Sequence, residues 1–157
     1  MRKFLLALTV VLSAAVFAVP AAFADSPHFI SGSSSIDSSG NLLCSFKEVG
    51  LGTISATSVT CSANATATYA CINGGGNHPK AANKATVSGP VTGGGNFPVR
   101  NGQTTGTTTA SPPGPGSFSC PSGQRLVLAS VSYTNVTLHG EGPDLALNDQ
   151  SITLVNV

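Results

Sequence analysis

Four cysteines are the residues of this sequence whose chemistry can be predicted most directly. Cys44, Cys61, Cys71 and Cys120 form an even set of thiols in a chain that begins with an export signal. Such a set is typical of two disulfides. Zinc binding and free buried thiols are the alternatives, but zinc ligands are usually paired through Cys-x-x-Cys or His-x-x-x-His spacing. The sequence contains neither spacing, so we predict disulfides.

The spacing of the cysteines favours one of the three possible pairings. Cys44 and Cys61 are equally distant from the gap between Gly52 and Thr53. In a simple hairpin centred there, the two residues would face each other, close enough to bond. Cys71 would then pair with Cys120 and close a longer loop, which stabilises the fold by about 4 kcal/mol in the chain-entropy treatment.

Histidine, serine and carboxylate side chains could support hydrolysis only if the fold brings them together. His28, His78 and His139 are far apart in the sequence, and no serine lies in a Gly-x-Ser-x-Gly motif. A small secreted hydrolase would need one of these histidines beside a serine and a carboxylate. The sequence itself predicts no enzyme activity, no catalytic residue, no metal site and no cofactor, and the hydrolase stays an alternative.

Two segments share the sequence Gly-Gly-Gly-Asn-x-Pro, at residues 74–79 and 93–98. We predict that residues 73–80 and 92–101 are loops at one end of the fold and form a binding surface, because glycine backbone can approach a ligand closely. The alternative is a pair of similar turns in which glycine supplies positive φ at low cost. The side chains predicted to contact a partner are Asn77, His78, Asn96 and Phe97.

Residues 100–119 are rich in threonine, glycine and proline. The Ser-Pro-Pro-Gly-Pro-Gly segment at 111–116 cannot form a central strand, since proline has no N–H to donate. We expect an exposed loop just before Cys120. A loop braced by a disulfide is the device of a protease inhibitor, which is the second functional hypothesis.

The elements that must position these residues are short strands. No long segment has apolar residues at helical spacing, whereas β-prone runs alternate with turn clusters. The pattern predicts an antiparallel, immunoglobulin-like β-sandwich, with a small β-barrel as the alternative. The predicted core is Leu42, Phe46, Val59, Tyr69, Leu126, Leu128, Val131 and Tyr133. The candidate strands are 28–36, 42–48, 54–63, 65–72, 84–91, 97–99, 103–110, 117–120, 124–138 (with a bend or bulge) and 151–157.

The first 24 residues resemble a secretory signal peptide. Arg2 and Lys3 precede an apolar stretch, and Ala22-Phe23-Ala24 is a small-x-small cleavage site. Removal of these 24 of the 157 residues leaves 133, the size of one domain, predicted at 25–157. That domain has five Lys and Arg against six Asp and Glu. A charge near neutrality argues against nucleic acid and anionic membrane as partners.

Several runs of the mature sequence resemble small, uncharacterised secreted proteins of Gram-positive, soil-type bacteria. They are residues 45–52 (SFKEVGLG), 65–73 (ATATYACIN), 81–84 (AANK), 97–102 (FPVRNG), 120–124 (CPSGQ) and 131–136 (VSYTNV). The resemblance covers roughly Phe46 to Leu138 and implies export and a shared fold, without assigning a catalytic residue. We therefore expect a secreted, non-enzymatic binding or structural module whose partner is extracellular or in the cell wall.

Overall fold

A computed structural model of the protein describes residues 26–73 and 83–157. The predicted signal peptide and the first glycine-rich segment lie outside these ranges. The described residues contain strands and connecting turns but no helix, and so none that could cross a membrane. The strands are β1 (His28–Ile36), β2 (Leu42–Val49), β3 (Ala56–Asn73), β4 (Lys84–Pro98), β5 (Gln103–Ala110), β6 (Gln124–His139), β7 (Leu145–Ala146) and β8 (Gln150–Thr153).

The strands form two antiparallel sheets that pack around a shared core, which confirms the predicted all-β sandwich. The smaller sheet has the order β1-β2-β5, and the larger has the order β4-β3-β6-β7, with β8 also paired to β6. An immunoglobulin domain has first, second and fifth strands in one sheet and third, sixth and seventh in the other. Six strands of this protein follow that arrangement, but the fourth, which contains Pro90, lies at the free edge of the larger sheet and not in the sheet of the first, second and fifth.

The longest strand, β3, joins two segments for which the sequence predicts separate strands. Its alternating alanines Ala63, Ala65 and Ala67 are buried, so the inward face continues through Asn64 without a break. The irregularity lies on the neighbouring strand, because the pairing of Ser62 with Thr137 shifts to Asn64 with Thr134. The extra residues of β6 form the bulge that its length predicts.

One bulge in β6 is built on Asn135, which has φ of 54°. Asparagine tolerates this left-handed conformation better than most residues do. The Asn135 N–H donates to Asp149 Oδ1 at 2.9 Å, and the Leu147 N–H donates to Val136 O at 2.8 Å. β7 and β8 are therefore two parts of one edge strand, interrupted where the bulge of β6 faces them. The predicted strand at 151–157 is correspondingly shorter, ending at Thr153, and no strand forms at 117–120.

The core agrees with the sequence prediction except at Leu126. Leu42, Val59 and Tyr133 are fully buried, and Phe46, Tyr69 and Val131 are nearly so. A second register shift, at Thr68/Tyr69 of β3, gives β6 one more residue, so that Leu128 and Leu126 pair with the buried Tyr69 and Cys71. Leu128 packs against the core, whereas Leu126, two residues from the start of β6, is 38% exposed, so its predicted burial is wrong.

Both predicted disulfides are present, but the geometry inferred for the first is wrong. Cys44 bonds Cys61, with 6.3 Å between their Cα atoms, and Cys71 bonds Cys120, with 5.5 Å. Cys44 and Cys61 do not face each other across a hairpin, because β2 pairs with β1 and β5 in the smaller sheet while β3 belongs to the larger one. The Cys44–Cys61 bond therefore joins the two sheets through the core.

Candidate functional site

The second glycine-rich segment is part of a strand, not a loop. Thr92 to Pro98 lie in β4, and only the turn at 99–102 follows. Asn96 is exposed, but Phe97 is half-buried, with its ring centroid 4.9 Å from that of Phe46 in an edge-to-face contact. Asn77 and His78 lie outside the described residues. Phe97 thus contributes to packing, and the structure supplies only Asn96 as an accessible member of the predicted surface.

Close packing explains two of the three glycines of this segment. A Cβ at Gly93 would overlap the backbone of Thr109, and one at Gly94 would lie 2.5 Å from Thr60 Cγ2. None of the three glycines has positive φ, so neither a loop nor a turn accounts for them. Gly93 lets β4, at the edge of one sheet, pass beside β5 of the other, whereas Gly94 lies against the neighbouring β3 of its own sheet.

The predicted loop at 100–119 is shorter than the sequence suggests, because Gln103–Ala110 forms β5. The remaining residues up to Cys120 have no regular structure. Their position is fixed at two points, by the Cys71–Cys120 disulfide and by Tyr69 Oη, which donates to Pro113 O at 2.8 Å. The protease-inhibitor hypothesis therefore applies only to residues 111–119.

Hydroxyl side chains form two rows across the outer face of the larger sheet. The register pairs of β4, β3, β6 and β8 align four residues in each row. All eight residues are exposed or half-exposed, while the alternate residues Ala65, Ala67, Val131 and Tyr133 are buried. We call this set the hydroxyl face: Thr86, Thr68, Ser130 and Thr153 in one row, and Ser88, Thr66, Ser132 and Ser151 in the other.

The hydroxyl face is a regular array fixed by the sheet. Neighbouring strands in a sheet are about 4.8 Å apart, and alternate residues along a strand about 7 Å apart. Thr66 Oγ1 and Ser88 Oγ are hydrogen-bonded at 2.9 Å, and Thr68 Oγ1 and Thr86 Oγ1 at 3.4 Å. A shallow depression of about 310 Å³ runs over the β3, β6 and β8 part of the face.

A serine, a histidine and an aspartate meet near one end of the same sheet face. His139 Nε2 lies 2.7 Å from Ser62 Oγ, and His139 Nδ1 lies 2.9 Å from Asp144 Oδ1. A carboxylate only accepts hydrogen bonds, so in a neutral imidazole the ring proton lies on Nδ1 facing Asp144, and Nε2 accepts from the Ser62 hydroxyl. Ser62 is half-exposed, and the side chains of His139 and Asp144 are 38% and 60% exposed.

The loop after β6 positions the aspartate. Glu48, fully buried on β2, accepts the N–H of Glu141 at 2.9 Å and of Gly142 at 3.2 Å through Oε1. Gly140 has no space for a side chain, since a Cβ there would lie 2.6 Å from Glu48 Oε1. The buried carboxylate thus holds the turn that returns the chain from His139 to Asp144.

Of the three histidines that the sequence offers, His139 has the partners that hydrolysis would need. His28 Nδ1 donates to the backbone carbonyl of Ser26 at 2.8 Å, and His78 lies outside the described residues. Sequence reasoning did not identify Ser62, because 77 residues separate it from His139. Their proximity depends on the register of β3 against β6, where Thr60 pairs with His139 and Ser62 with Thr137.

Neither a family model nor a curated protein nor a solved structure matches the chain. The roles of the hydroxyl face and of the Ser62, His139 and Asp144 cluster are therefore argued from their geometry.

Proposed function

We propose that this protein is an exported binding module that holds a polyhydroxylated polymer of the cell envelope on its hydroxyl face. The observation that supports this is the alignment of eight serine and threonine side chains in two rows on one sheet. The two disulfides agree with an oxidising, extracellular environment.

Hydroxyl groups suit such a partner because each one both donates and accepts hydrogen bonds. A single hydrogen bond contributes only about 1 kcal/mol net, so useful affinity requires many bonds made together. The sheet fixes the hydroxyls in advance, and the threonine side chains have few rotamers to lose. The entropy lost on binding is therefore low. The near-neutral charge of the mature chain favours a neutral polymer over an anionic one.

A sedimentation assay with variants of the two sheets tests this proposal. The mature protein is mixed with insoluble cell-wall glycan, chitin or cellulose, and the bound fraction is measured after centrifugation. We expect binding to at least one polymer. Replacement of Thr66 and Thr68 together by valine keeps the shape and removes two hydroxyls, so affinity should fall about 30-fold at about 1 kcal/mol net per lost hydrogen bond.

The matched control replaces Thr105 and Thr107 by valine on the outer face of the smaller sheet. Both are exposed, and Thr107 Oγ1 bonds Ser45 Oγ at 2.9 Å as Thr66 bonds Ser88. This control should bind like the wild type. Equal loss in the two double variants, or no binding of the wild type to any of the polymers, would contradict the proposal.

A further inference from the structure

We propose that Ser62, His139 and Asp144 form a nucleophilic site that cleaves small carboxylic esters, an activity beyond the binding role above. The two contacts that define an acyl-transfer triad are both present: a hydroxyl 2.7 Å from one imidazole nitrogen and a carboxylate 2.9 Å from the other. The three residues come from β3, the end of β6 and the loop that follows it, and all three are accessible to solvent.

The chemistry is a two-step acyl transfer. His139 Nε2 takes the proton of Ser62 as Oγ attacks the ester carbonyl carbon, and the alcohol leaves with that proton, which gives an acyl-serine. Water then attacks the acyl carbon while His139 takes its proton. The acid leaves as the proton returns to Ser62 Oγ. Asp144 is a positioning residue that keeps the Nδ1 proton and the ring orientation in place.

The surroundings of Ser62 define which esters can react. Because β3 is paired with β4 and β6, its backbone N–H groups are used in hydrogen bonds within the sheet. Side-chain hydroxyls must therefore stabilise the oxyanion. The exposed Thr92 is the register partner of Ser62 on β4 and offers a hydroxyl on that side. In enzymes that use an oxyanion hole, loss of one donor slows the reaction by about 100- to 1,000-fold. With few donors at this site, we expect turnover only of esters with good leaving groups and small acyl chains.

A covalent probe tests the nucleophile without requiring the natural substrate. The disulfide-bonded mature protein is treated with a fluorophosphonate, which bonds to an activated serine oxygen as fluoride leaves and His139 takes the hydroxyl proton. Intact-mass measurement followed by peptide mapping should show one adduct, at Ser62. Hydrolysis of p-nitrophenyl acetate should proceed above the buffer rate.

Four variants separate an activated nucleophile from a structural hydrogen bond. S62A should abolish the adduct, and S45A, an exposed serine of the smaller sheet whose Oγ bonds Thr107, should label like the wild type. H139Q retains an amide that can bond Ser62 but is no base, and should label about 100-fold more slowly. D144N should be intermediate, about tenfold slower, because Asp144 acts through the ring.

Three results would overturn the proposal. The wild type, shown by thermal melting to be folded, could form no adduct, or the adduct could map to another serine. The wild type and H139Q could also label at equal rates. Each of these would leave the Ser62–His139–Asp144 contacts as a tether for the loop after β6. None would affect the polymer-binding proposal, whose sedimentation assay uses residues outside this cluster.

Discussion

The glycines of β4 show how single side chains are excluded by a neighbouring backbone. Gly93 lies against Thr109 and Ala110 of β5, and Gly106 of β5 lies under the ring of Phe97. Gly93 and Gly106 therefore each face an atom of the opposite sheet at a distance that no Cβ could accept. Gly95 differs, because its nearest neighbour would be the Phe97 ring at 3.7 Å, an ordinary contact.

This difference predicts that replacement by alanine destabilises the protein at Gly93 but not at Gly95. Gly93→Ala should lower the free energy of unfolding by about 3 kcal/mol or more, because the backbone of β5 must move. Gly95→Ala should be neutral or slightly stabilising, since alanine restricts the unfolded chain. Urea unfolding of the two variants beside the wild type measures both values. Similar stabilities for the two variants would contradict the assigned packing of β4 on β5.

Tyr133 predicts a loss of stability at high pH. Its hydroxyl donates to Gly40 O at 2.7 Å, and burial raises its pKa to about 12 from an ordinary value of 10.0. The folded state thus keeps a proton that the unfolded chain releases between about pH 10 and 12. The contribution is complete below pH 10 and is lost as the pH rises through this window, by at most about 3 kcal/mol.

Urea unfolding between pH 9 and 12 measures this loss, with Tyr133→Phe as the control. The phenylalanine variant starts less stable, because it lacks the bond to Gly40, but should lose less stability as the pH rises. Tyr69, whose pKa burial also raises, should leave a residual slope. Parallel curves for the variant and the wild type would show that Tyr133 does not control the alkaline limit.

Among the elements, the two disulfides have different structural tasks. Cys44–Cys61 joins the sheets inside the core, where both cysteines are fully buried, and Cys71–Cys120 anchors the end of the 111–119 segment to β3. Their sequence separations are 17 and 49 residues. Loop entropy alone gives stabilities of about 3 and about 4 kcal/mol, respectively.

We expect the loss of stability to be larger when the Cys44–Cys61 disulfide is removed than when the Cys71–Cys120 disulfide is removed. Replacement of Cys44 and Cys61 by alanine removes two buried sulfurs and leaves a cavity, which adds a further cost of about 1 to 2 kcal/mol. Replacement of Cys71 and Cys120 leaves less unfilled space, because Cys120 is half-exposed. Urea unfolding of the two double variants tests the order. A larger loss of unfolding free energy in the variant without Cys71–Cys120 would show that loop length governs the contribution of both disulfides.

Strands that are bounded by turn residues in the sequence could be predicted, whereas the candidate site could not. β1 has its predicted limits because the turn residues after Ile36 end it. The cysteine pairing was predicted correctly from a hairpin that does not exist, since equal spacing about a turn also suits two strands that face each other across a core. The hydroxyl rows and the contact of Ser62 with His139 depend on the register of β3 against β6. Bulges at Asn135 and Ala129 set that register, and no short pattern in the sequence specifies it.

Across the whole molecule, the sandwich is closed on both sides by different means. On one side Gly93 allows β4 to pack on β5. On the other, Ser34 Oγ of β1 donates to Asn148 O at 2.6 Å and accepts from Gln150 Nε2 at 3.0 Å. Leu145 and Leu147 fill the space above Gly32. The core is thus enclosed by a chain with few charges, and polar contact with water comes mainly from hydroxyl and amide groups.

The position of β4 at the free edge of the larger sheet has a consequence for aggregation. An open strand edge can pair with the same strand of another molecule, and a protein with little net charge has weak electrostatic repulsion to oppose this. Pro90 lies near the middle of β4 and has no N–H to offer such a partner. The same residue that weakens β4 as a strand therefore protects the protein from forming intermolecular sheets when it accumulates at high concentration.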